Sequence, residues 1–122
     1  MKKGTGTDMP TPDQQSNAAN AILAIRNAQN LLQQQINASS NTLTAIKLTN
    51  EYNSLDSSLS QLLHAQNVVD DAIFSKAIEI LKSQTGGLQA DGTAIKGIIS
   101  DVETATKVVG YITQAVGFIA KL

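Results

Sequence analysis

The chain has 122 residues, a formal net charge of -1, charged residues at 16% and no cysteine. That length supports one domain with one elongated core, the near-neutral charge gives no grip on a phosphate backbone, and the lack of cysteine excludes disulfides and thiolate metal sites. Nucleic acid is therefore disfavoured as a partner. Gln, Asn, Ser and Thr supply the polar coat instead: between Gln14 and Ile46 the only charged residue is Arg26.

Residues 1–10 carry Lys, Gly, Thr, Asp and Pro without a period, which reads as a flexible N-terminal arm ahead of a single helical bundle domain over 11–122. Met1-Lys2-Lys3 is followed by Gly4-Thr5-Gly6-Thr7-Asp8 where a cleavable signal needs an apolar segment, so no such signal is expected. Thr11-Pro12-Asp13-Gln14 is a strong helix start. Thr11 can cap, proline suits the first helical position, Asp13 complements the dipole, and Gln14 can complete a capping box.

Both prolines, Pro10 and Pro12, lie at the start, and no further helix breaker appears before Gly86-Gly87. Apolar residues at Ile22, Ile25, Leu32, Ile36, Leu43 and Ile46, with Gln29 and Ser39 filling steps, form the stripe of a first long helix. A second series, Leu55, Leu59, Leu62, Gln66, Val69, Ile73, Ala77 and Ile80, is out of phase with it. The phase change predicts a break near Asn50 to Ser54, with Asn53 as cap. Ala38-Ser39-Ser40-Asn41-Thr42 is the alternative break. Thr85-Gly86-Gly87 should end the second helix through a left-handed glycine. A third helix follows from between Leu88 and Thr93, with Asp91 or Thr93 as cap. Its core would be Ile95, Val102, Val109 and Val116 at one heptad position and Ile98, Ala105, Ile112 and Ile119 at the other. The expected fold is all-α, an elongated antiparallel up-down-up bundle of three long helices; a break near 38–42 would give four.

Little in the chain suggests catalysis. Asp56, Ser60 and His64, four apart, line one side of a helix, but mid-helix N–H groups are already bonded and cannot form an oxyanion hole. Asp70-Asp71 and Glu79 are too few for a calcium or magnesium site. No glycine-rich phosphate loop follows a strand, and Asn37-Ala38-Ser39 matches a glycosylation acceptor within a helical stretch. Enzyme is the least favoured class, and no metal, cofactor or small-molecule substrate is expected. Gln29 and Gln66 would set helix register or lie at the core margin.

The last fourteen residues repeat a heptad, Val109-Gly110-Tyr111-Ile112-Thr113-Gln114-Ala115 and Val116-Gly117-Phe118-Ile119-Ala120-Lys121-Leu122. Gly110, Tyr111, Gly117 and Phe118 stand where the first half of the helix has polar side chains, so the apolar face is wider than two neighbours can cover. These four are the candidate interaction residues. Either the arm or the turn between helices one and two, with Tyr52, folds over them, or they form an interface. The leading expectation is a non-enzymatic interaction or assembly protein that binds a protein partner or itself. The alternative is weak contact with a membrane surface through Val108 to Ala120, too short to span a bilayer.

The cysteine-free, tryptophan-free composition rich in Ala, Gln, Asn, Ser and Thr resembles that of small helical proteins that bacteria export through dedicated secretion machines. The resemblance implies export by a signal-less route rather than a cytoplasmic home. Without a Trp-x-Gly turn it assigns no residue a role.

Overall fold

A computed structural model describes residues 11–68 and 70–122; the expected arm over 1–10 lies outside them. Five helices follow in order: α1 (Pro12–Ala38), α2 (Thr42–Asn67), α3 (Asp71–Ser83), α4 (Thr85–Ile98) and α5 (Val102–Ala120). The helix start read from Thr11 is present in full. Thr11 Oγ1 accepts from the Gln14 N–H at 3.1 Å, Gln14 Oε1 accepts from the Thr11 N–H at 2.9 Å, and Pro12 opens the helix.

The bundle is all-α and antiparallel, and the break at 38–42 is the one the chain uses. Asn41 caps α2, its Oδ1 accepting from the Thr44 N–H at 3.0 Å. The break expected at Asn50 to Ser54 does not occur, and Asn53 caps nothing: α2 runs through it. Once Asn41 resets the phase, Leu48, Leu55, Leu59 and Leu62 fall on one buried face of a single helix, so nothing there calls for a break. Two further breaks, between α2 and α3 and at 99–101, were hidden by apolar flanks. Asp70 Oδ1 accepts from the N–H groups of Ala72 at 2.9 Å and Ile73 at 3.1 Å, and Asp101 takes the N-cap of α5. Thr11, Asn41, Asp70 and Asp101 thus start four arms about 30 residues apart.

The third arm is α3 and α4, separated by one residue. Gln84 keeps helical angles, and the Ser83 and Thr85 hydroxyls bond back to the carbonyls of Ile80 and Lys82, at 2.6 and 2.8 Å. The expected left-handed stop at Gly86-Gly87 is absent. Both glycines lie in the first turn of α4, no described glycine has positive φ, and Asp91 and Thr93 sit inside α4 rather than capping it.

Each arm packs on its neighbours in a ring, α1 on α2 and α5, α4 on α2 and α5, and α3 chiefly on α2, while among the described residues the backbones of α1 and α4, and of α2 and α5, stand further apart as diagonal pairs across the shared core. At 1.5 Å per residue, α1 and α2 are each roughly 40 Å long. The core runs along the axis through Ile25, Leu32, Leu55, Leu62, Phe74, Leu81, Leu88, Ile95, Ile112 and Ile119. Gln29 is the polar member, 4% exposed; its Nε2 donates to the Tyr52 carbonyl at 3.3 Å and to Asp56 Oδ1 at 3.4 Å, tying α1 to α2. Gln66, read beside it as a register residue, is exposed.

Four arms rather than three reverse the last helix. A three-armed up-down-up bundle would end at the pole opposite the start of α1. Instead Gln14 Nε2, at the start of α1, donates to the Leu122 carbonyl at 3.2 Å. Leu43 and Ile46 are 61% and 52% exposed, because the turn at 39–41 rotates them out of the stripe begun by Ile22 and Ile25.

Candidate functional site

Helix α5 buries Ala105, Val108, Ile112, Ala115 and Ile119. The expected partner stripe of Val102, Val109 and Val116 is displaced: Val102 is 77% exposed, and Val109 and Val116 are half-buried. The turn at 99–101 frees α5 from the phase of α4, so Ile95 and Val102 no longer belong to one continuous helix. The phase of α5 is then set by its two neighbours, with Val108 and Ala115 facing inward between them.

This rotation separates the four candidate residues. Val109, Ile112, Thr113 and Val116 line a groove of about 360 Å³ shared with Gln89, Gly92, Thr93 and Lys96 of α4. Successive residues turn 100° about a helix axis, so Tyr111 and Phe118 lie on the opposite flank of α5, toward α1. There both are half-buried against the core, with the Lys121 ammonium 5.7 Å from the centre of the Phe118 ring. Gly110 and Gly117 fall between the two flanks and point outward. A Cβ built on either would meet nothing within 4 Å. The aromatics are thus partly used by the fold itself, whereas the glycines are not. With exposed Thr106, Thr113 and Ala120 they make a low ridge along the outside of α5. Tyr52, proposed as a cover for this patch, is half-buried in the middle of α2; the arm proposed as the other cover lies outside the described residues.

At the head of α5, the Thr104 hydroxyl bonds the Asp101 carboxylate and holds its pKa below the usual carboxylate range. The Asp56, Ser60 and His64 set does not assemble. Asp56 is engaged by Gln29, whereas Ser60 and His64 border an outer groove with Ile73, Lys76 and Ile80 of α3. Ile73 and Ile80, expected in the core, are 50% and 45% exposed because the Asp70 cap rephases α3 to bury Phe74, Ala77, Ile78 and Leu81. Among the described residues, no three His, Asp or Glu side chains converge as metal ligands, and no helix is long and apolar enough to cross a membrane.

One constellation escaped the sequence. Glu51 of α2 and Asp91 of α4 face each other across the α2/α4 seam, with Ser54 in reach of Asp91. Nothing in the chain marks residues forty apart as neighbours until the register of α2 against α4 is known.

Comparison of the chain with protein-family profiles, with curated proteins and with solved structures found no match.

Proposed function

We propose that this protein is a non-enzymatic helical interaction module that docks a partner helix along the outer ridge of α5, in the simplest case α5 of a second copy. The observation that carries this reading is the pair of glycines. Gly110 and Gly117 stand one heptad apart, open to the outside, with nothing in their own fold close enough to require a missing side chain. Each costs up to about 1 kcal/mol of helix stability relative to alanine. A close approach from outside accounts for that cost, because a helix without a Cβ at the contact lets a second backbone come nearer. The partly covered rings of Tyr111 and Phe118 on one flank, and Val109 and Val116 on the other, supply apolar rims of the kind a docked helix buries.

Sedimentation velocity over a concentration series tests the reading. The wild type is expected to self-associate in the micromolar to millimolar range. Gly110→Leu with Gly117→Leu, or Tyr111→Asp with Phe118→Asp, should weaken association at least tenfold while helical circular dichroism is retained. A wild-type chain that stays monomeric throughout, indistinguishable from both variants, rejects self-association through α5.

A further inference from the structure

Most of the polar surface of this chain is uncharged, yet two of its few carboxyl groups meet at a helix seam. Glu51 projects from the middle of α2 and Asp91 from the middle of α4, and the two are half-buried. Oε1 of Glu51 is sealed from solvent and finds no hydrogen-bond partner. Next to the pair, a cleft of about 270 Å³ opens between the same two helices, lined by Ser54, Ser57, Ser58, Gln84 and Asp91. At its far end the Oε1 of Gln84 is likewise buried without a partner, at the single residue that interrupts α3 and α4. Among the described residues these two oxygens, one at each end of the cleft region, are the buried side-chain polar atoms left without a partner.

We propose that Glu51 and Asp91 form a proton-operated clasp between α2 and α4, closed when the two carboxyls share a proton and loosened when both are ionised. With one proton present, the Glu51 carboxyl donates to Asp91, which also accepts from the Ser54 hydroxyl, so the orphaned oxygen gains a partner. Without it, two negative charges face each other in a partly dry seam. Among the described residues no neighbouring cation offsets them. The charged group acting on Glu51 from the helices packed around α2 is Asp91 of α4, and neither α1 nor α3 contributes a cation to it. From α1, neutral Gln29 faces the next turn of α2 through Tyr52 and Asp56. Lys47 on α2 and Lys96 on α4 are exposed and offset neither group.

Burial first, then the hydrogen bond and charge of Asp91, push Glu51 from 4.5 up to about 7, and burial raises Asp91 as well. The sign follows from linkage. A carboxyl whose folded pKa lies above its unfolded value contributes stability that is fully present below the unfolded value, and lost as pH rises through the folded one. The clasp therefore holds in mildly acidic medium and fails across the interval from about 4.5 to about 7. The element released is α4, bounded by the interruption at Gln84 and the turn at 99–101.

The test is thermal unfolding of the full chain followed by circular dichroism between pH 5 and pH 8.5, for the wild type, Glu51→Gln and the distant control Glu103→Gln. The wild type and the control should lose roughly 4 to 8 °C of Tm as pH rises. Glu51→Gln, whose amide donates to Asp91 at every pH, should lose less than half of that and exceed the wild type at pH 8. Carbon-13 NMR of side-chain carboxyls in the wild type reads the same property without a variant: Glu51 should titrate near neutrality. A Glu51 midpoint below 5, or parallel Tm profiles for the wild type and Glu51→Gln, overturns the clasp.

Discussion

Single residues decide more of this structure than composition suggests. Gln29 is the clearest case: an uncharged amide almost fully removed from water, carrying hydrogen bonds from α1 to α2. Replacing it with alanine removes those bonds and leaves space behind, so Gln29→Ala should destabilise the fold by about 1 to 3 kcal/mol in urea titrations, with an unchanged slope. The outward glycines should respond in the opposite direction. Because no atom occupies the space of their missing Cβ, Gly110→Ala and Gly117→Ala should each stabilise the isolated chain by up to about 1 kcal/mol. Stability gained together with association lost would show that these positions serve contact rather than folding. The doubled heptad made all four candidate residues legible in the sequence. Their division into an outer glycine ridge and an inward-leaning aromatic flank was not, since the rotation of α5 is set by α1 and α4.

Among the helices, each turn releases the next helix from the phase of the one before, the neighbours it packs on then fix its rotation, and apolar periodicity cannot be carried across such a turn. The stripe begun at Ile22 fails at Leu43 and Ile46, and the stripe begun at Leu55 fails at Ile73 and Ile80, in both cases just after the Asn or Asp that caps a new helix. The signal at Thr11 was legible because proline and a reciprocal glutamine accompany it. Asp70 and Asp101 act without proline or glycine, and Val68 before the one and Ile98-Ile99 before the other prolong the look of a buried helix. Such caps still matter energetically. Asp70 accepts from two backbone N–H groups, so Asp70→Ala should cost about 1 kcal/mol. In amide exchange the loss should appear first in the opening turn of α3, with α1 unaffected.

For the molecule as a whole, the number of arms sets where the chain ends lie. An all-α antiparallel bundle was legible from the absence of helix breakers, but an odd or even count of arms turns on whether brief polar interruptions are true turns. Spin labels at exposed Gln15 and Lys121 test the even count directly: the four-armed bundle puts them within about one helix diameter of each other, whereas three arms would set them apart by roughly the 40 Å length of α1. The Gln14 to Leu122 hydrogen bond has one more consequence. A short flexible peptide could splice residue 122 to residue 11, and new ends could be opened at Ser39-Ser40-Asn41, where the exposed turn breaks no helix. The circularly permuted chain would keep every helix and the whole core while putting its new free ends at the opposite pole. There an added label or tether would sit a full bundle length from the foot of α5.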